Sequence, residues 1–286
     1  MNQYLRPGSF QILPEIVKNL IIINILFFLA KITLANVYHY DLDDVLGMHY
    51  IGSEKFKPWQ IVTYMFMHGN FGHIFFNMFA VWMFGSSLEN YWGPKRFLTY
   101  YILTGFGAAF IHYGIVYYQL YPELKEIDTL IAKPELAAFA DFFSEDRISQ
   151  MNRDMMYHFR QNYMQLIQYR DAGENQKVTQ AIVDVMSQYR TDMLNAPVIV
   201  GASGALFGLL LAFGMIFPNT LIYIYFAIPV KAKYFVIGYG LLELYSGLSN
   251  NMNDNVAHFA HLGGMLFGFI LLKFWQKTDR NNFYRF

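Results

Sequence analysis

Residues 19–37 form an apolar run with a single charge, Lys31. An α-helix needs about 20 mostly apolar residues, in practice roughly 17–25, to cross the hydrocarbon core of a bilayer. The run lies too far into the chain, and lacks the small-residue cleavage site, to read as a removed signal peptide. Further segments of this kind lie at about 71–87, 97–118, 201–217 (a short one), 234–246 and 256–274. Only twelve residues follow Phe274, so the expected count is six spans. Composition agrees: 55% of the chain is hydrophobic and 15% charged, where soluble domains carry about 25% charged residues. That excludes an ordinary cytosolic enzyme and a disordered chain. Twenty-one basic against 21 acidic residues leave no electrostatic footprint for nucleic acid. The absence of cysteine removes disulfide frameworks, thiolate zinc sites and cysteine nucleophiles.

Lys and Arg in short loops orient a membrane protein, because they are enriched on the cytoplasmic side. With both termini inside, that side collects Arg6, Lys18, Lys95, Arg96, Lys231, Lys233, Lys273, Lys277, Arg280 and Arg285, against Lys55 and Lys57 outside. Both termini are therefore expected in the cytoplasm. Residues 119–196 differ from the rest, holding eight basic and twelve acidic side chains. Ile148, Met151, Met155, Phe159, Tyr163 and Leu166 recur at helical spacing after the N-cap candidate Ser144 and the first-turn acids Glu145 and Asp146, which suit the helix dipole. Gly173 breaks the pattern, and Val178, Ile182, Val185 and Tyr189 resume it. The spacing predicts a polar helical hairpin on the exoplasmic side. The expected organisation is spans one to three in 1–118, the insertion in 119–196, and spans four to six with a short tail in 197–286.

Ionisable or strongly polar residues inside spans are functional candidates, because burying them in lipid is costly. His73 and Asn77 lie one turn apart at the start of the second span, with His68 just before them; the structural alternative is polar glue between helices. Ser203 begins the fourth span among Gly201, Gly204, Ala205, Gly208 and Ala212. Small residues at that spacing are ordinary packing devices, but they account for the glycines better than for the serine. First-turn N–H groups of a helix lack intrahelical partners, which suits a developing oxyanion. In the sixth span His261, Gly264 and Gly268 share one face, and the glycines let a neighbouring backbone come close. By the orientation above, Ser203, His73 and His261 all lie toward the exoplasmic end of their spans.

A serine hydroxyl becomes nucleophilic when a base takes its proton, and histidine is the usual base. No carboxylate lies in the last span, and Asp254 precedes it in a loop, so the minimal reading is a Ser203–His261 dyad. Asn77, His73 and the Ser203 N–H are the available oxyanion donors. The chemistry that fits is acyl transfer, with peptide hydrolysis the natural case. A zinc site built from His68, His73, His258 and His261 is the competitor. It lacks a His-Glu-x-x-His signature and gives Ser203 and Asn77 no task, so neither metal nor cofactor is expected. A channel or transporter, in which intramembrane histidines would relay protons, is a different class; the missing repeat symmetry and missing carboxylates weigh against it.

These residues closely resemble the rhomboid family of intramembrane serine proteases. The match runs through His68-x4-His73-x3-Asn77, Gly85-x3-Glu89-x3-Gly93, Gly201-x-Ser203-Gly204 and Ala260-His261-x-Gly263-Gly264-x3-Gly268. It extends to the stretch from Trp59 to His68 and to Phe97-Leu-Thr-Tyr-Tyr101. The resemblance implies an all-α polytopic membrane protein, a six-helix rhomboid-like bundle carrying the insertion between helices three and four. It implies Ser203 as nucleophile and His261 as general base, with His73, Asn77 and Gly201 in the oxyanion hole. His68, Glu89, Gly264 and Gly268 would be structural, as would His258. Residues 41–66 would lie at the membrane interface, and 247–255 would cap a water-filled site. The implied activity is endoproteolysis of single-pass or multi-pass membrane proteins near the exoplasmic side, in a bilayer expected to be a bacterial inner (plasma) membrane. The alternative within the fold is an inactive rhomboid-like protein that binds client transmembrane helices.

Overall fold

The computed structural model describes residues 10–224, 227–249 and 257–283, with side chains as far as 278. Most of the expected capping segment 247–255, with Asp254, lies outside the described residues, as do Arg6, Arg285 and the Arg280 side chain. The chain divides into two compact units. One comprises Met1–Met48, Lys57–Tyr113 and Ile199–Phe286; the other comprises His49–Phe56 and Gly114–Val198.

The first unit holds the apolar helices. Helix α1 (Glu15–Tyr38) begins after Pro14, which offers no side-chain cap, and leaves Ile22, Ile25, Leu26, Leu29 and Ile32 exposed. An outward apolar face of that size is what lipid requires. The short helix α2 (Leu42–Leu46) is capped by Asp41, whose carboxylate accepts from the Asp43 N–H at 2.9 Å. Helix α3 (Gln60–Thr63) runs into a 3-10 turn at Tyr64–Phe66. Helix α4 (Phe71–Ala80) continues through a π-turn (Val81–Gly85) into α5 (Ser86–Trp92). Helix α6 (Pro94–Ala132) starts after Gly93, whose φ is +79°. Helix α11 (Ser203–Ile216) leads to a hairpin of Leu221–Ile224 and Ile228–Lys231, then to α12 (Ala232–Ser249) and α13 (His258–Phe283).

Among the described residues three helical stretches are long and apolar enough to cross a membrane: Glu15–Tyr38, Phe71–Trp92 and His258–Thr278. The other three expected spans coincide with helices of less uniform character. In α6 the side chains of Tyr100, Tyr101 and Thr104 lower the hydropathy but are fully buried, so protein rather than lipid surrounds them. Helix α12 exposes Ile237, Leu241, Leu242 and Leu244 while burying Glu243. Helix α11 is apolar but has 14 residues; at a rise of about 1.5 Å per residue it falls short of a hydrocarbon layer of about 30 Å. The chain is an all-α polytopic membrane protein.

The second unit is larger than the expected hairpin. Helix α6 continues to Ala132 through Pro122. The expected third span stops at residue 118, but Leu124, Ile127, Leu130 and Ile131 recur at helical spacing and supply a packing face. Ser144 caps a helix, α8, that is only Glu145–Ser149; Asn152 caps the long helix α9 (Arg153–Asp171), its side chain accepting from the Met155 N–H at 2.9 Å. The hairpin is thus α9 with α10 (Asn175–Asn195), turning at Gly173 with φ +72°. With α7 (Leu136–Phe142) these helices enclose a core of Ile127, Phe139, Phe142, Leu166, Ile182 and Met186. The Tyr189 hydroxyl donates to Glu123 at 3.0 Å, and burial, with Glu123 beside it, pushes that hydroxyl's pKa up.

Candidate active site

Helix α4 delivers the first pair of polar residues. Asn70 is its N-cap, accepting from the His73 N–H at 2.9 Å, which starts the helix so that His73 and Asn77 fall one turn apart. The Gly69 N–H donates to His73 Nδ1 at 3.3 Å. A neutral imidazole that accepts at Nδ1 carries its proton on Nε2. That nitrogen faces Gly201: a Cβ there would lie 2.8 Å from His73 Nε2 and 3.7 Å from Asn77 Nδ2. Asn77 Nδ2 is buried without a hydrogen-bond partner. Gly201 has φ +123°, and its N–H is held by the Tyr64 carbonyl at 2.9 Å. Its missing side chain therefore leaves a space bordered by two unengaged donors, with a backbone conformation that L side chains rarely adopt.

Two residues on, Ser203 opens α11. This helix crosses α13 at glycines: a Cβ on Gly264 would fall on the carbonyl of Gly204, and one on Gly268 would meet the Tyr100 hydroxyl and lie 3.4 Å from Gly208 Cα. The Tyr100 hydroxyl donates to the Gly208 carbonyl at 2.9 Å, tying α6 to the same crossing. This close approach brings the two side chains together, with Ser203 Oγ 2.8 Å from His261 Nε2. Phe207, one turn after Ser203, stacks on the His261 ring at 4.1 Å between centroids and 9° between planes. Ser203, His261, His73, Asn77 and Gly201 thus share one locality.

One residue of the site was not foreseen from the sequence. Glu243 on α12 places Oε2 2.8 Å from His261 Nδ1 and 2.7 Å from His258 Nδ1. Its signal was legible, since a lone carboxylate inside an apolar span must find a partner. Glu243, His258 and His261 also form the group of possible metal ligands among the described residues, their ligand atoms lying within 4.8 Å of one another. Both Nδ1 distances also suit N–H donors to the carboxylate, and His261 Nε2 lies at hydrogen-bond distance from Ser203.

Of the remaining expected residues, His68 lies beside this centre and Glu89 does not. His68 is fully buried and meets His73 edge-on at 4.9 Å. Its carbonyl accepts from Lys31 Nζ at 2.8 Å, and Lys31 also pairs with Asp43, which accounts for the one charge in the apolar run 19–37. Glu89 lies apart from the site and accepts from the Ile16 and Val17 N–H groups at 3.0 and 2.9 Å. It supplies the N-terminal acceptors that Pro14 cannot.

The Rhomboid domain model matches residues 55–121 and 173–276, more than half of the chain. The chain belongs to the rhomboid family. The match passes over 122–172, so much of the second unit lies outside the matched residues. Among curated rhomboid relatives, a mitochondrial rhomboid protein of Schizosaccharomyces pombe is 24% identical over 77% of this chain and 52% of its own length. The mitochondrial RHOMBOID-like protein 6 of Arabidopsis thaliana is 37% identical over 21% of this chain and 19% of its own. The chain thus spans about half the length of the first and a fifth of the second.

Proposed function

We propose that this rhomboid is an intramembrane serine endopeptidase with Ser203 as nucleophile and His261 as general base. The observation that carries the reading is the 2.8 Å contact between Ser203 Oγ and His261 Nε2, beside the space at Gly201 that faces His73 and Asn77. Ser203 Oγ attacks the scissile carbonyl and its proton passes to His261 Nε2. The oxyanion occupies the space at Gly201 and accepts from His73 Nε2–H and Asn77 Nδ2–H. Collapse expels the amine, which takes the proton from His261. Water, activated by the same imidazole, then hydrolyses the acyl-enzyme. The short α11, starting at Ser203, supports a site below the membrane surface where water enters a protein-lined cavity. Substrates are membrane proteins cut in or near a transmembrane helix toward the exoplasmic face.

The ten-to-two bias of loop cations supports cytoplasmic termini; with a bacterial inner membrane as the reading, the relatives' mitochondrial names make an organellar membrane the other outcome of reporter-fusion mapping. The activity is tested by fluorophosphonate labelling and by cleavage of a transmembrane model substrate in detergent. Wild type is expected to label and cleave, and Ser203→Ala and His261→Ala to do neither while remaining folded. Cleavage at the wild-type rate by Ser203→Ala would overturn the serine mechanism. A folded wild type that neither labels nor cleaves would favour an inactive, client-binding rhomboid.

A further inference from the structure

We propose that Glu243 is a positioning residue that extends the Ser203–His261 pair to a Ser203–His261–Glu243 triad, with His258 holding the carboxylate in place. The inference rests on the protease reading above and assigns the orientation of its base.

Glu243 sits on α12 between Leu242 and Leu244, both exposed on the helix exterior, yet is itself 6% exposed. A carboxylate in an apolar span is costly unless hydrogen-bonded and paired. Here one oxygen, Oε2, meets two imidazole nitrogens at hydrogen-bond distance, His261 Nδ1 at 2.8 Å and His258 Nδ1 at 2.7 Å. The two histidines are one turn apart at the start of α13, and their rings stand at 88° to each other. A carboxylate oxygen only accepts, so each ring donates an Nδ1–H. For His261 this fixes the tautomer: the proton is on Nδ1, and the lone pair on Nε2 points at Ser203 Oγ, as a general base requires. Phe207 stacked on the ring restrains rotation out of that plane. The imidazole is therefore held by Glu243 on one edge, Ser203 on the other and Phe207 on a face.

The same contact operates during the reaction. When His261 Nε2 takes the Ser203 proton, the ring becomes an imidazolium whose positive charge faces the Glu243 carboxylate. Glu243 itself neither gains nor loses a proton. His258 donates to the same oxygen, so the carboxylate is fixed by two donors and cannot swing away from His261. Among the described residues, the titratable groups that interact with this cluster include Tyr239 on α12, one turn before Glu243, His73 on α4 and His112 on α6, in addition to His258, His261 and Glu243 themselves.

The test compares Glu243→Gln, Glu243→Asp and His258→Gln with wild type, by steady-state cleavage of a fluorogenic transmembrane peptide, fluorophosphonate labelling and thermal unfolding in detergent. Glu243→Gln keeps the shape but loses the charge. Its kcat is expected to fall about 10²–10⁴-fold with KM within about twofold of wild type, and labelling to slow by a similar factor. Glu243→Asp, which keeps the carboxylate, should recover part of the rate, and His258→Gln should lose less than Glu243→Gln. In ¹⁵N-histidine-labelled protein, the His261 signal should report an Nδ1–H tautomer in wild type and a mixture in Glu243→Gln. Wild-type kcat in Glu243→Gln, or equal rates in the Gln and Asp variants with a lowered melting temperature, would overturn the assignment and leave a structural role. Activity lost on dialysis against chelator and restored by Zn²⁺ would overturn it in favour of a metal site. If Ser203→Ala is inert while Glu243→Gln is fully active, only the triad fails; if Ser203→Ala cleaves normally, the protease reading itself fails.

Discussion

Asn77 separates catalytic from structural accounts of the polar cluster, because its Nδ2 is buried without a partner. An unmet buried donor contributes nothing to the fold and costs about 1–3 kcal/mol. An amide serving as glue would be bonded in the resting protein. Asn77→Ala is therefore expected to lower kcat about 10²–10³-fold, the usual loss for one oxyanion donor. Removing the unmet donor relieves that cost while some packing is lost, so the melting temperature should not fall markedly below that of wild type. Normal cleavage with a depressed melting temperature would show instead that the amide is structural. Gly201 is coupled to the same donors. A methyl there would sit 2.8 Å from the His73 ring on a backbone with φ +123°, so Gly201→Ala should lose activity through displaced His73 as well as strain. Because one clash then accounts for part of both effects, Gly201→Ala combined with His73→Ala should cost less than the sum of the two. Strict additivity in that double-mutant cycle would refute the contact.

Between elements, the site depends on how closely α11 and α13 cross. Gly264→Ala puts a methyl on the Gly204 carbonyl, and overpacking of this kind costs about 1–3 kcal/mol. The helices must separate, and the Ser203–His261 distance grows with them, so activity should fall further than stability. Gly238 on α12 is the control: a Cβ there meets nothing within 4 Å, and Gly238→Ala should leave both unchanged or raise stability by about 0.5–1 kcal/mol. Equal effects of the two variants would discard the crossing as the positioning device. At the other end of the body, Glu89→Gln should lower stability by about 1.5–3 kcal/mol, the range for hydrogen bonds to a charged group, while Ser203 still labels below the melting point. Much of this was legible in the sequence, because cost in lipid makes polar residues informative: Ser203, His261, His73 and Asn77 stand out against apolar neighbours, and Gly264 and Gly268 mark the shared face. Glu243 was harder to read, since nothing in the spacing of α12 ties it to histidines 15 and 18 positions later. Only the packing of α12 beside α13 does so. The full length of α6 was not legible for a related reason. The helix runs on through Pro122, where the packing of Ile127, Leu130 and Ile131 outweighs the one backbone hydrogen bond that proline removes.

At the scale of the molecule, the 15% charge content is an average over two unlike bodies. Residues 119–196 carry twenty of the 42 charged side chains, as dense as in a soluble domain. They surround an apolar core of their own in which Ile127, Ile182 and Met186 are at most 1% exposed. Ion pairs such as Arg190–Asp128 at 2.9 Å, and Arg147 over the Phe142 ring at 3.7 Å, lie within that unit. The other body buries Asn77, Glu243 and His261 at the site and exposes large apolar side chains such as Leu26, Leu241 and Phe274. A domain with its own core should respond to core damage on its own. Ile182→Ala removes a buried branched side chain, at a cost of about 2–5 kcal/mol. It is expected to raise amide exchange and protease cutting throughout α7–α10 while the rate of Ser203 labelling stays within twofold of wild type. Phe207→Ala should do the reverse, slowing labelling by freeing the His261 ring and leaving exchange in α9 and α10 unchanged. Should Ile182→Ala slow labelling in step with its loss of protection, the two bodies would be one cooperative system, and the second unit would belong to the catalytic machinery rather than fold independently of it.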